Sequence, residues 1–398
     1  MRCSTTPIDE DALARAAAFV VPRAAHPRRV VVALSGGVDS SVAAWLLKEA
    51  GHEVIGVSLR LAPDDDASIA VRHGRCCSHD DMTDARRVAD AIGADFYAID
   101  ARERFKAAVF DPFVAAWARG ETPIPCLACN HEVKLGDLLG TARRLDAVLA
   151  TGHYVRVVEH HGVPSLARPV DRQRDQTYWL HGTPADVIPE LLFPLGDLDK
   201  PLVRALARRA GLPVVAHKPD SQEICFVPDG DHARIVEGAH GPLPDGALVH
   251  INGRPLGRHR GVHHFTVGQR RGTGVASPNA GERLYVVDVD AAQATVTLGP
   301  REALACTTVR AAPLRFAHPR AHWPAAVTAQ VRARHTPAPA TVRFLDDGGV
   351  ELTFSAPVLG VALGQALVVY DGDVVLGGGV IVERVDGARP RRSSAATP

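Results

Sequence analysis

The sequence predicts an α/β protein: an N-terminal parallel-sheet domain, then a small central β-rich domain and a C-terminal β-barrel. Three observations carry this expectation. From residue 28 to about 215, β-branched apolar runs alternate with amphipathic segments, the rhythm of a parallel sheet covered by helices. After about 225 the texture changes to short β-branched runs between Gly, Pro and Asp turns. Between the first apolar run and the first amphipathic segment stands "ALSGGVDSS" (33–41), where a strand, a glycine turn and a helix N-terminus together make an anion site. The divisions implied are an extension over 1–27, a parallel-sheet domain over 28–228 that carries this loop, a central domain over 229–300, a barrel domain over 301–385 and a polar, disordered tail over 386–398.

Each element has its own signal. "RRVVVAL" reads as a buried strand, and "SVAAWLLKEAG" as an amphipathic helix closed by Gly51. "HEVIGVSLRL" (52–61) is the next strand, "DARRVADAIG" (84–93) a helix and "ADFYAID" a strand. "LGDLLGTARRLD" is a further helix, leading into the strand "AVLATGHYV" (147–155). Ligands of such sheets sit beyond the carboxyl ends of the strands, so the 34–40 loop, Leu59 and "ATGH" (150–153) should line one crevice. In the second half "RLYVVDVD", "ATVTLG", "AQVRAR", "ATVRFLDDG", "VELTFS" and "ALVVYDGDVVLGGGVIV" are the strands of the small β domains.

The 398 residues are 46% hydrophobic and 23% charged, an ordinary globular composition with length for two or three domains. No apolar run approaches the roughly 18 residues of a membrane span, and no leader is evident. Seven cysteines, an odd number in a long chain, argue against a secreted disulfide framework and for a reducing cytoplasm. Net charge is zero, but charge is unevenly spread. No acidic residue lies between Asp245 and Glu282, a stretch holding Arg254, Arg258, Arg260, Arg270, Arg271 and four histidines. Such a run is either a solvated face or a nucleic-acid footprint.

The loop's composition narrows its chemistry. A mononucleotide P-loop needs a lysine, which is absent, and Gly36-Gly37 lacks the dinucleotide spacing. What remains is S-G-G-x-D-S: glycines for close backbone approach, Ser35, Ser40 and Ser41 for phosphate oxygens, and Asp39 for magnesium. "SGGVDSS" resembles the PP-loop of the ATP pyrophosphatase superfamily, whose members split ATP between the α and β phosphates and adenylate a substrate. The cysteines narrow it further. "PIPCLACNHEVKLG" (123–136) has a C-x-x-C that by itself suits zinc, redox or iron–sulfur chemistry, and it precedes a helix, so Cys129 is expected near a helix N-terminus that favours its thiolate. Cys225 lies far along the chain in "DSQEICFVP".

With the loop, these segments resemble the tRNA-specific 2-thiouridylases of the bacterial MnmA/TrmU type. "PIPCLACNHEVKL", "ATGHY" (150–154), "RDQTY" (174–178), "SQEICF" (221–226), "GQRRGTG" (268–274) and "LGGG" (376–379) carry the likeness, which spans about residues 29–385. The resemblance implies ATP- and magnesium-dependent 2-thiolation of the wobble uridine in the anticodon stem-loop of tRNAs reading Lys, Glu and Gln codons, with sulfur from an upstream carrier or cysteine desulfurase. Cys129 is then the nucleophile and Cys225 the persulfide carrier, ending in a transient disulfide. ATP contacts are implied for Ala33, Leu34, Ser35, Gly36, Gly37, Val38, Asp39, Ser40, Leu59 and Gly152. For tRNA they are implied for Ile124, Pro125, Cys126, His153, Arg174, Asp175, Gln176, Arg334, His335 and Gln365, with Arg270 and Arg271 from the basic stretch. Ile124 replaces the usual Asn, Cys126 stands where many relatives have Asp, and His335 where Tyr is usual. Cys126, Cys129 and Cys225 as ligands of an iron–sulfur cluster is the alternative for the same reaction. Cys3, Cys76, Cys77 and Cys306 read as structural or incidental. A rival PP-loop ligase acting on a small molecule leaves Cys129, Cys225 and the basic β domains without purpose. A non-catalytic RNA- or zinc-binding module leaves the loop unexplained.

Overall fold

The computed structural model describes residues 9–61, 79–212, 218, 224–227, 230–275 and 283–386; Cys3, Cys76, Cys77 and the 387–398 tail lie outside them. The chain forms two compact units. The first takes in residues up to 105 with 129–180 and 185–228; the second takes in 106–128, 181–184 and everything from 229.

The first unit is built on a five-stranded sheet in the order β3-β2-β1-β4-β7. The strands are β1 (Arg29–Ala33), β2 (Glu53–Arg60), β3 (Asp95–Asp100), β4 (Val148–Ala150) and β7 (Leu191–Leu192), and all the pairings are parallel. β1 lies at the centre, with Val30 opposite Val54 and Val148, and Val30, Val31 and Val32 are fully buried. That is why this run is continuously apolar rather than alternating. A hairpin, β5 (Arg156–His160) with β6 (Val163–Ala167), turns on Gly162.

Helix α2 (Val38–Glu49) follows β1, and α3 (His79–Ile92) follows β2. Gly51, at φ +98°, ends α2, with the amides of Gly51 and His52 donating to the carbonyls of Lys48 and Leu47. The 1–27 segment departs from the expected loose extension, because Glu10–Ala18 is a helix, α1. Its Asp9 caps the Ala12 amide, and Ala12 and Ala16 are buried in a core shared with Trp45 and Leu46 of α2 and with Leu202, Val203 and Leu206. The latter belong to a later helix (Lys200–Arg209, α6 below), whose Arg209 also donates to the carbonyls of Ala16 and Phe19. Alanines make a thin apolar stripe, yet one sufficient to seat a short helix. The helices between are α4 (Asp111–Ala118, in the second unit) and α5 (Gly136–Arg144).

The second unit holds two β modules. One is a four-stranded sheet in the order β10-β11-β8-β9, made of β8 (Gly246–His250), β9 (Pro255–His259), β10 (Tyr285–Asp290) and β11 (Thr295–Gly299). Helix α7 (His232–His240) precedes it. The other is a six-stranded closed barrel of β12 (Ala305–Phe316), β13 (Ala326–Gln330), β14 (Ala338–Phe344), β15 (Val350–Leu359), β16 (Ala366–Asp371) and β17 (Val374–Arg384). Pairing of β12 with both β15 and β17 closes it. Its interior is aliphatic, led by Val309, Leu352, Leu367, Val369 and Leu376, all fully buried. Among the described residues no helix is long and apolar enough to cross a membrane.

Candidate active site

The glycine loop is shaped by close approaches that exclude side chains. Gly36 has φ +70°, and a Cβ there would sit 2.1 Å from the Asp81 carbonyl oxygen. A Cβ on Gly152, just after β4, would lie 2.6 Å from the Ser40 amide nitrogen, so the β4 end presses directly on the N-terminus of α2. Gly37 is the N-cap of α2 and supplies no side-chain cap. The first amides of α2 and its dipole are therefore presented to an anion. The serines are less outward than the sequence suggests. Ser41 is fully buried and donates to the Gly37 carbonyl at 2.8 Å, and Ser40 donates to the same oxygen at 3.2 Å while accepting from the Ser35 amide. Ala33, Ser35, Gly37 and Asp39 are half-buried, whereas Leu34, Gly36, Val38 and Ser40 are buried. Leu59, also buried, is next to last in β2.

Asp39 is already neutralised. Lys200, at the start of α6 and 7% exposed, donates to both carboxylate oxygens at 2.8 and 2.7 Å. The Tyr154 hydroxyl donates to Oδ1 at 2.9 Å, and burial together with Asp39 pushes the Tyr154 pKa up, keeping it a phenol. With both oxygens so engaged, Asp39 does not fit a resident magnesium ion. A second lysine acts on the loop from the other side. Lys218 donates to the Gly36 carbonyl at 3.0 Å, to Asp81 at 2.9 Å, and pairs with Asp84 at 2.6 Å. Tyr154, Lys200, Lys218, Asp81 and Asp84 are the loop's partners that sequence reading missed. The signals were there only as a Tyr ending "ATGHY", a Lys opening a helix after "LGDLD", and a Lys just ahead of "PDSQEIC".

Lys218 also leads into the segment that bears Cys225. Cys225 is half-buried in a turn in which the Val227 amide donates to the Ile224 carbonyl, and Phe226 packs edge-on against Phe105 at 5.6 Å. Cys129 is 6% exposed. It was expected near a helix N-terminus, but the helical turn begins earlier, at Pro125, because proline's fixed φ suits the first helical position. Cys126 thus occupies the first turn, and Cys129 opens the wider π-helical segment Cys129–Leu135 that continues it. Cys126, Cys129, Cys225 and Cys306 are all outside disulfides. Burial and the neighbouring Asp386 push the Cys306 thiol up to about 12, which suits its reading as structural.

Comparison with known proteins now bears on this loop and these cysteines. The model of a tRNA methyl transferase HUP domain matches residues 28–229, that of a tRNA methyl transferase PRC-barrel domain 237–300, and that of an aminomethyltransferase β-barrel domain 306–381. The tRNA-specific 2-thiouridylase MnmA of Rhodospirillum centenum is 46% identical over 94% of this chain and 96% of its own length. The chain belongs to the tRNA-specific 2-thiouridylase family. Its counterparts in Parvibaculum lavamentivorans (48% identity, 91% of this chain and 92% of that protein) and Methylobacterium radiotolerans (45%, 95% and 100%) align as fully. Among solved structures, an NMN synthetase from Francisella tularensis is similar at TM-score 0.31 and 16% identity, over 58% of this chain and 84% of that one.

The residues expected to meet RNA in this thiouridylase-family chain sort into two groups. Arg270, Arg271 and Arg334 are exposed, as are Arg254, Arg258 and Arg260 of the acid-free stretch. Others are engaged internally. Asp175 accepts from Arg168, from the Thr177 amide and from its hydroxyl, and Gln176 accepts the Tyr154 amide at 2.8 Å. Of that motif Arg174 is half-buried at the end of a 3₁₀ turn. Gln365 donates to the Thr122 carbonyl at 2.9 Å, and the Thr122 amide donates to the Leu363 carbonyl at 2.8 Å. The barrel's 362–365 turn thereby anchors the strand of chain leading to Ile124, Pro125 and Cys126, of which Pro125 is buried and its neighbours half-buried. His153 lies 2.9 Å from the Thr151 hydroxyl, and burial, aided by Lys134, lowers its pKa to about 3. Burial likewise lowers the pKa of His335, with Arg332 adding to the effect. Within the acid-free stretch His259 and His263 are buried, so they add nothing to a basic surface.

Proposed function

We propose that this protein uses ATP to activate a tRNA uridine and replaces its C2 oxygen with sulfur. The observation that carries the reading is Lys218: one ammonium group joins the pyrophosphate-type loop, at Gly36, to the chain segment bearing Cys225. Attack of the uridine O2 on the α-phosphate gives an O-adenylate, and the departing pyrophosphate is received by the α2 amides behind Gly37. The terminal sulfur of a Cys225 persulfide attacks C2 and AMP leaves. Cys129 then attacks the Cys225 sulfur and breaks the S–S bond, leaving the thiocarbonyl on the base and a Cys129–Cys225 disulfide. A thiol reductant supplies two electrons to restore both thiols, and an upstream sulfur carrier or desulfurase reloads Cys225. The acceptor is the wobble uridine of tRNAs reading Lys, Glu and Gln codons. It is flipped from its stack to lie near Ile124, Pro125 and Cys126, with the exposed arginines on backbone phosphates.

Single-turnover thiolation of unmodified tRNA by anaerobically purified protein, with iron quantified, tests this. Cys225→Ser should still adenylate tRNA but accept no labelled sulfur. Cys129→Ser should load sulfur and fail to pass it on, while Cys126→Ser should retain a measurable fraction of activity. Stoichiometric iron lost together with activity in Cys126→Ser would establish the cluster route in place of the persulfide. Sulfur loading that persists in Cys225→Ser would remove the carrier assignment.

A further inference from the structure

In the second unit, helix α7 and the turn Val262–His264 bring together a group of ligating side chains that the thiolation chemistry does not use. His263 Nε2 lies 3.1 Å and His264 Nε2 3.3 Å from the same oxygen, Oε1 of Glu237, and the three ligand atoms all fall within 4.8 Å of one another. Two nitrogens and an oxygen each about 2.0–2.1 Å from one ion at tetrahedral angles would be roughly 3.3 Å apart, close to these separations. We propose that Glu237, His263 and His264 form a binding site for a zinc-class divalent cation.

The surroundings hold His263 in place, with Nε2 toward the cluster. His263 is fully buried, and its Nδ1–Cε1 edge lies so close to Gly261 that a Cβ there would come within 2.6 Å of Nδ1. Nδ1 has no hydrogen-bond partner. Nε2 is therefore the ring nitrogen aimed at the cluster. His232, stacked on Trp117 at 3.8 Å, donates from Nε2 to the His263 carbonyl and fixes the backbone that carries the ligand. Glu237 and His264 are partly exposed, at 43% and 38%, which gives an ion a path in and leaves a fourth position for water. The ligand set, two imidazoles and a carboxylate, suits zinc, cobalt or nickel rather than magnesium or calcium. Its effect would be to fasten α7 to the turn ahead of "GQRRGTG".

The test uses the untagged full-length chain, stripped with chelator and titrated with Co(II) and with Zn(II). The expected result is a single site with visible d–d bands of tetrahedral cobalt, displaced by zinc, and without the thiolate-to-cobalt charge transfer that cysteine ligation produces. His264→Ala and Glu237→Gln, both at partly exposed positions, should fold as wild type in chelator. Each should bind at least about tenfold more weakly. No binding by the wild type, binding unchanged in both variants, or a spectrum dominated by thiolate charge transfer would each overturn the proposal. The readout is metal binding alone, so it is independent of whether thiolation itself is correctly assigned.

Discussion

Gly152→Ala probes the contact on which the loop's geometry rests. The added methyl would start 2.6 Å from the Ser40 amide nitrogen, 2.7 Å from the Asp39 carbonyl carbon and 2.9 Å from the Ser40 Cα, about 0.8 Å inside ordinary contact. All three atoms are backbone, so no side chain can rotate away; either the end of β4 or the first turn of α2 must retreat by most of that distance. Overpacking of this kind costs about 1–3 kcal/mol of stability. The larger effect falls on ATP, because the displaced amides are those offered to the phosphates, and a misplacement approaching 1 Å can cost on the order of 100-fold in rate. Denaturant unfolding measures the first effect; tRNA-dependent pyrophosphate release over a range of ATP concentrations measures the second. A Gly152→Ala protein that loses stability but releases pyrophosphate with wild-type KM and kcat would show that the α2 N-terminus does not hold the nucleotide phosphates.

Lys200→Met leaves the Asp39 carboxylate, 33% exposed, without its cation. After allowance for solvent screening the loss should be about 1–2 kcal/mol, read by denaturation, with a raised KM for ATP. Arg270→Ala with Arg271→Ala should weaken tRNA binding and reduce its salt slope by roughly one to two units, since each lost phosphate contact removes about 0.9; an unchanged slope would make this a solvated face. His153, with its pKa lowered to about 3 in the fold, binds a proton more readily unfolded, where its value is near 6.5. Its contribution is therefore complete above about pH 6.5 and declines as pH falls toward 3. Wild type should lose more stability than His153→Gln on acidification from about pH 7 to 5, followed by unfolding midpoints.

The parts of the site that sequence reading could reach were those written in consecutive residues. A β-branched run, two glycines and a periodic apolar segment are local signals, and β1, the loop and α2 follow from them. The start of α2 is three residues earlier than expected, at Val38, because Gly37 caps it through the backbone and offers no side-chain mark. The lysines could not be read in this way. Lys200 meets Asp39 across 161 positions and Lys218 meets Gly36 across 182, and no local pattern encodes a pairing brought about by folding. "RDQ" shows a different limit. The motif is present, and a resemblance locates Asp175 and Gln176 without telling that the one accepts from Arg168 and Thr177 and the other from the Tyr154 amide. The α1 helix escaped because its buried face is alanine, whose small side chain gives little apolar contrast in sequence.

Closure of the C-terminal barrel limits how that module can greet another molecule. Since β12 pairs on one side with β15 and on the other with β17, each of the six strands has a ring partner on both sides. The connections between strands display side chains outside that pairing, such as the 332–335 turn that carries Arg334 and the 362–365 turn that holds Thr122. A surface of this kind can change its specificity by exchanging single residues at those turns while the ring beneath keeps its hydrogen bonds intact.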